Sequence, residues 1–325
     1  MAEGNLTSPV GRSPLVSVVM PVYNAAAFVA EAIESILTQT HDDLELIVVD
    51  DGSTDDSWSE VTRLAATDRR VQPIRADRRG VSATFAEGVA RAQGDFIARM
   101  DADDVALQDR LAIQLEWMGR KGVDVCGSQA DLFGDKADSW WFPERHDDIR
   151  RELLFRAAML FPTIVAKASV LKSYPFDRAV VWDDYELETR LAMRYRLGNH
   201  PAALLRYRRH PLQTHRTQPL AFSNDFRRYR FRLFYEMFPG TPLPDYIAFA
   251  RLAGRQPLLD LDELDRAGSR LATLSDTDEA RLRLVMAERW RKACDRSAGL
   301  GPAVEGVFQR WAPAIAGDSG GAQPK

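Results

Sequence analysis

Along the first two thirds of the chain, apolar runs and amphipathic stretches follow one another in a repeated two-part rhythm. The run "PLVSVVMPVYN" is almost continuously apolar and β-branched up to Pro21, the pattern of a strand buried on both faces. The next stretch, "AAAFVAEAIESILTQT", sets Phe28, Val29, Ala32, Ile33, Ile36 and Leu37 at helical spacing and puts Glu31, Glu34 and Gln39 on the other side, which predicts an amphipathic helix. "DLELIVVDDGSTDDS" repeats the scheme, with a strand over Leu46 to Val49, a polar loop and a helix start in the Ser/Thr/Asp cluster. "RVQPIRA" with "GVSATFAEGVARAQ", and "GDFIARM" with "QDRLAIQLEWMGRK", extend the series. Such alternation predicts a mostly parallel sheet covered by helices, with ligands bound beyond the carboxyl ends of the strands. The loops "PVYN", "DDGSTDD" and "DADD" fall at those ends and are expected to form one crevice.

After "VDVCGSQADLFG" the alternation loosens into a mixed stretch that runs to about Arg216. Beyond it, "FRRYRFRLFYEMF" and the Leu/Ala/Arg/Glu-rich stretch from Asp260 to Arg296 read as helices. The expected organisation is therefore a tail over 1–13, an α/β domain over 14–216, a helical region over 217–316 and a second tail over 317–325. No internal repeat of solenoid length is present.

Composition narrows the class without naming a chemistry. Hydrophobic residues make up 45% and charged residues 28% of the 325 positions, as in ordinary soluble domains. The net charge of −4 removes any global electrostatic reason to expect nucleic acid as a partner. Cys126 and Cys294 have no Cys or His at metal-ligand spacing, so neither a zinc site nor a disulfide framework is expected and a reducing, cytoplasmic setting fits. No apolar run approaches the roughly 18 residues of a spanning helix. The segment "NDFRRYRFRLFYEMF" leaves two readings open. Its arginines and aromatics suit peripheral contact with the inner face of a membrane, and Phe226, Tyr229, Leu233, Phe234, Met237 and Phe238 equally fit one face docked on the α/β domain.

The acidic loop "ARMDADD" carries the chemistry. Its carboxylates repel one another unless a cation sits among them, or unless the loop is simply solvated. The turn "PVYNAAAF" lacks the glycines of a dinucleotide-binding fingerprint, and no lysine phosphate loop occurs. An EF-hand is excluded because Ala106 and Ala112 stand where Gly and Glu are required. What remains is a carboxylate site for a hard divalent ion, Mn²⁺ or Mg²⁺, with positions left open for diphosphate oxygens.

"VSVVMPVYNAAAFVAEAIESILTQTHDDLELIVVDDGSTDDS" followed by "GDFIARMDADDVALQDRLAIQ" resembles glycosyltransferase family 2, the inverting, nucleotide-sugar-dependent enzymes of GT-A fold, over roughly Val16 to Arg216. The resemblance implies that Pro21 and Tyr23 line the nucleotide pocket and that Asp51 accepts a hydrogen bond from the base. Asp101 and Asp103 become the Asp-x-Asp motif, with Asp103 the better metal ligand and Asp101 nearer the ribose or a metal-bound water. Asp104 is either a third ligand or a helix cap. In "VVWDDYELETRLA", Asp183-Asp184 resembles the family's acidic pair, with Asp184 as general base and a helix-end acid as the plain alternative. Glu186 and Glu188 are placed on the solvated face of that helix. "YRRHPLQTHR" resembles the family's Tyr-Arg-x-His, which brings His210 to the metal or diphosphate, or leaves it an ordinary surface or core histidine. His215 is a weaker candidate, and Arg206, Arg208 and Arg209 are not ranked. Arg78 and Arg79 either meet the diphosphate or are solvated.

Two departures stand out: Ala86 where relatives often carry Asn, and Phe161-Pro162-Thr163 where they carry a His-Pro-Thr-like triplet. The implied partners are a nucleotide-sugar donor, with UDP the expected carrier, and a hydroxyl acceptor, either a growing bacterial surface glycan, a lipid-linked glycan or another molecule. A nucleotide-sugar-binding scaffold without turnover and a sugar nucleotidyltransferase are the alternatives. The latter needs a Gly-rich, Arg-containing loop after the first strand, which this chain lacks.

Overall fold

The computed structural model describes residues 13–135, 138–174, 176, 183–211, 213 and 223–317. Strand β1 (Val16–Val22) is flanked in parallel by β2 (Leu44–Asp50) and β4 (Phe96–Arg99), and β3 (Val71–Arg75) adds to β2. Val16, Val18, Val19 and Met20 are wholly buried, as are Leu46, Ile47, Val48 and Val49, because helices cover both faces of these strands. Helices α1 (Val29–Leu37), α2 (Ser57–Ala65) and α3 (Val81–Arg91) supply the crossovers. On α1, Val29, Ala32, Ile33 and Ile36 face inward, as their spacing predicts.

Gln39 departs from its expected solvent side and is buried. Its amide donates to the Leu107 carbonyl at 2.7 Å and its oxygen accepts from the Leu111 amide at 3.0 Å. It thereby ties the end of α1 to the start of α4 (Arg110–Lys121).

Past β4 the sheet becomes mixed, in the order β3-β2-β1-β4-β8-β6-β9-β5. Strand β8 (Val165–Lys167) is antiparallel to β4 and to β6 (Val125–Gly134), β9 (Leu197–Arg209) runs parallel to β6, and β7 (Asp138–Trp140) pairs antiparallel with β6. Two residues after the acidic loop, β5 (Val105–Ala106), pair antiparallel with Leu205 and Arg206 of β9. That short pairing places the acidic loop beside the end of β9. Helices α5 (His146–Leu153), α6 (Ala168–Lys172) and α7 (Asp183–Ala192) complete this part of the chain. Cys126 and Cys294 are free and buried.

Contacts divide the chain into two units, one running up to Ile149 and over Ala157–Phe226, the other comprising Arg150–Arg156 and everything from Arg227. The division thus falls beyond the boundary expected at 216/217. Arg150–Arg156 joins the second unit because Glu152 pairs with Arg289 at 3.0 Å and Phe155 packs on Phe249. That unit contains α8 (Ser223–Met237) from Arg227 onward, α9 (Leu243–Ala253), α10 (Leu261–Leu274), α11 (Ala280–Arg296) and α12 (Ala303–Ala316). Gly268 on α10 is needed there, since a Cβ would lie 2.5 Å from the Trp311 ring and 2.8 Å from that of Trp290. The apolar face of α8 packs within the helical unit: Leu233 and Phe234 are fully buried, and Phe234 stacks on Phe249 of α9.

Gly94, in the turn before β4, lies against the backbone of β1. A Cβ there would be 2.6 Å from the Leu15 carbonyl and 2.7 Å from the Ser17 amide. Gly94→Ala is therefore expected to cost roughly 1–3 kcal/mol through overpacking, read as a lower unfolding midpoint. Gly306→Ala, in open space on α12, is expected to raise stability by up to about 1 kcal/mol through helix propensity.

Candidate active site

Three loops at the carboxyl ends of β1, β2 and β3 are stapled together by their own polar side chains. Asp50 accepts from the Gly52 and Ser53 amides at 3.1 and 3.0 Å. Asn24, in the left-handed region at φ 49°, accepts from the Thr54 amide at 2.9 Å, and the Ala25 amide donates to the Ser57 hydroxyl at 2.8 Å. Asp51 is buried and accepts from the Arg79 amide at 2.8 Å and the Gly80 amide at 2.9 Å. It fixes the entry to α3, and each oxygen keeps a second lone pair. Gly52 at φ +73° lets this turn close, with the Arg78 amide only 3.2 Å from where a Cβ would be. Beside it, Tyr23 is exposed with the Arg78 guanidinium 3.2 Å above its ring. Pro21 sits next to Val49 in the sheet, and the Arg79 side chain turns toward Glu87 at 4.0 Å.

The acidic loop brings one oxygen from each of Asp101, Asp103 and Asp104 within 4.8 Å of one another, the one such cluster among the described residues. Asp104 is 1% exposed. One of its oxygens accepts from the Arg208 amide at 2.8 Å, and the other, Oδ2, is buried with no partner. Burial, then the neighbouring charges of Asp103 and Asp101, push its carboxyl well above the usual carboxylate range. Burial also raises Asp101, and the Arg99 guanidinium partly offsets the effect. The cap reading of Asp104 fails, because the residue preceding α4 is Asp109 and the Asp104 carboxylate points to β9.

Three arginines hold this loop. Arg208 donates from Nε to the Asp103 carbonyl at 2.7 Å and from Nη2 to Glu31, and its guanidinium lies over the rings of Phe28 and Phe133 at 4.7 and 4.4 Å. Arg110 is wholly buried and donates to the Arg99 carbonyl at 2.8 Å. Burial lowers its pKa to about 10, so it stays charged at neutral pH. Arg99 pairs with Asp101 at 3.0 Å, lies 4.1 Å over Phe161 and 4.9 Å over Phe85, and keeps Nη1 buried without a partner. The Phe161 departure thus supplies a ring face for a buried cation.

His210 contacts Asp103 Oδ2 through Nε2 at 2.9 Å and packs 4.8 Å from the Phe28 ring. Asp184 stands in the first turn of α7 and shares an electrostatic neighbourhood with Arg99 and Asp101. Burial raises its carboxyl above the ordinary range. Asp183 opens the same helix; its side chain and His215 lie outside the described residues.

Glu186 and Glu188 are not on a solvated face, contrary to expectation: both are buried. Glu188 accepts from the Ala158 and Met159 amides at 2.8 and 3.1 Å, and Glu186 pairs with Arg190 at 2.9 Å. The loop before η-helical Phe161–Thr163 has amides that no strand satisfies, and Glu188 answers them.

Sequence reading also missed Arg99 and Tyr207. The phenol of Tyr207 is driven up by burial, then by Asp104, Asp101, Asp103 and Asp184, and its ring packs on Trp140 at 4.9 Å. A signal existed for Arg99: a guanidinium closing an apolar strand just before three acids.

This arrangement is the α/β architecture of GT-A glycosyltransferases. The glycosyl transferase family 2 model matches residues 17–182, and the chain belongs to that family; it is a glycosyltransferase. Among similar proteins, an uncharacterised glycosyltransferase of Haemophilus influenzae is 30% identical over 222 residues, covering 62% of this chain and 67% of the relative. One from Methanocaldococcus jannaschii is 30% identical over 207 residues, covering 60% and 71%. A Rickettsia felis relative is 43% identical over 103 residues, 32% of this chain, and this match spans only 17% of that longer protein. Among solved structures, Staphylococcus aureus TarS 1–349 in complex with UDP-GlcNAc shares the fold at a TM-score of 0.58 and 16% identity, over 91% of each chain.

The acid cluster fits a divalent cation: it offers oxygen ligands of the kind Mg²⁺ and Mn²⁺ prefer, one of them buried and unpaired. Without a cation the cluster is repulsive. Asp104→Asn keeps an acceptor for the Arg208 amide and removes one charge, so it is expected to raise metal-free stability by about 0.5–2 kcal/mol. It is also expected to shrink the rise in melting temperature that Mn²⁺ gives the unaltered protein. Thermal melts with and without Mn²⁺ check both signs; a metal-free loss of stability would mean that the Asp104 charge is structural.

Proposed function

We propose that this glycosyltransferase is metal-dependent and inverting, and that it moves a sugar from a UDP-sugar to an acceptor hydroxyl, with a growing surface glycan as the acceptor class. The observation that carries this reading is the buried, unpaired Asp104 oxygen among three converging carboxylates. UDP as carrier draws support from TarS, a fold relative solved with UDP-GlcNAc.

In this reading Asp103 and Asp104 hold Mn²⁺ or Mg²⁺, with Asp101 at the ribose side and His210 steering or joining Asp103. The ion supplies stabilisation of the negative charge that develops on the departing diphosphate. Every other role falls to side chains. Tyr23 offers a ring face and Pro21 a wall for the base, and the remaining lone pairs of Asp51 can accept from it. Arg79 is within the loop that Asp51 anchors and is assigned to the diphosphate. Arg99, charged and buried beside Asp101 and Asp184, keeps those two carboxylates from repelling one another.

Asp184 takes the acceptor proton as the hydroxyl attacks from the face opposite the leaving group, and Asp183 supports it at the helix start. A base must be ionised to act, and the Asp184 carboxyl is raised. Activity therefore falls as pH drops through that raised value, above the usual aspartate range near 3.9.

The test is release of UDP from UDP-GlcNAc, with Mn²⁺ and an acceptor panel, for the unaltered protein and Asp184→Asn. A loss of roughly 10²–10⁴ in kcat with little change in donor KM is expected. Retained turnover in Asp184→Asn, or release of pyrophosphate in place of UDP, would overturn the assignment.

A further inference from the structure

Within the helical unit, α8 and α9 enclose a cavity of about 330 Å³ lined by Arg227, Arg230 and Arg251, with Tyr246, Ile247 and Gln256 among its other walls and no acidic residue. Arg230 is only 5% exposed and hydrogen-bonds Tyr246. Two acids near in sequence are engaged away from the cavity, Glu236 with Arg150 at 2.8 Å and Asp245 with Arg270 at 3.9 Å, while Glu263 pairs with the cavity-lining Arg251 at 3.2 Å. Arg227, Arg228 and Arg232 form no ion pair among the described residues; the first two are adjacent on α8 and Arg232 lies about one turn further on. Arg227, Arg228 and Arg232 therefore leave this surface a positive excess, although the whole chain carries a net charge of −4.

Large apolar side chains stand exposed beside this cationic cavity. Leu243 is 58% exposed and Ile247 43%, one helical turn apart on α9, and Phe231 is 43% exposed with its ring 4.9 Å from that of Tyr246. Apolar groups next to unpaired arginines are the signature of a surface that enters the headgroup region of an anionic bilayer, where guanidinium groups meet lipid phosphates and the apolar side chains reach the acyl boundary. A site for a free soluble anion would need the arginines and not the exposed Leu243, Ile247 and Phe231.

We propose that the α8–α9 surface docks on an anionic phospholipid membrane, with the arginine-lined cavity receiving a lipid phosphate and Phe231, Leu243 and Ile247 inserting beside it. This does not rest on the assignment of the acid cluster or of Asp184, and donor turnover with a soluble acceptor is a separate readout.

The experiment is co-sedimentation of the full chain with vesicles of phosphatidylcholine alone and with about 30% phosphatidylglycerol. Binding to the anionic vesicles at least tenfold tighter than to neutral ones is expected, weakening in 0.5 M salt because exposed charges are screened. Arg227→Glu and Ile247→Asp, both on the surface, are each expected to lower binding several-fold while leaving the melting temperature unchanged. Equal binding to both vesicle types, no binding, or binding indifferent to both substitutions would overturn the proposal. So would inorganic phosphate at millimolar concentration abolishing vesicle binding and raising the melting temperature unless Arg227 is replaced, since that marks a soluble-anion site.

Discussion

Three carboxylates converge in this protein because two residues of β5 pair with β9 directly after the acidic loop. That pairing brings the Arg208 amide to Asp104, the Arg208 side chain to the Asp103 carbonyl and His210 to the Asp103 carboxylate. Without it the acids would spread into solvent, where water screens their repulsion. With it they are held close, and Asp104 is buried with one oxygen unsatisfied. Gln39 braces the other side, binding the chain on either side of Gln108 to the end of α1. In the proposed function this repulsion favours a state in which a cation sits among the three carboxylates.

Compensation for the acids comes from buried arginines. Arg110 lies beneath the loop, Arg99 beside it and Arg208 across it, each with much of its side chain against protein. Guanidinium suits this duty because it stays protonated even when burial lowers its pKa, as for Arg110 at about 10, and because its flat faces pack on rings. Phe161 and Phe85 provide such faces for Arg99, and Phe28 and Phe133 for Arg208. The same chemistry works outward in the helical unit, where Arg227, Arg228 and Arg232 form no ion pair among the described residues.

Much of this was legible in the chain. The continuous apolar runs of β1 and β2 and the period of α1 follow from burial geometry alone, and so does the placing of the three loops at strand ends. The Asp-x-Asp acids and His210 stand out in the chain by their likeness to a family pattern, and the fold puts them close to one another. What escaped was set by long-range pairing that no local pattern carries. Glu188 looked solvated because its partners, the Ala158 and Met159 amides, are remote in sequence. Gln39 looked solvated for the same reason. The ranking of Arg208 above Arg206 and Arg209 for holding the acidic loop depends on the β5–β9 register. Residues Arg150–Arg156 cross to the helical unit through Glu152 and Phe155, which only three-dimensional contacts reveal.

The central claim is that the acidic loop is built around a cation that meets a nucleotide diphosphate. Anomalous diffraction at the manganese edge, from crystals grown with MnCl₂ and UDP, tests it most directly. The account predicts one strong peak in coordination contact with the carboxylates of Asp103 and Asp104 and with diphosphate oxygens of UDP. UDP bound in the crevice with no manganese at those carboxylates, or manganese bound only elsewhere, would contradict it.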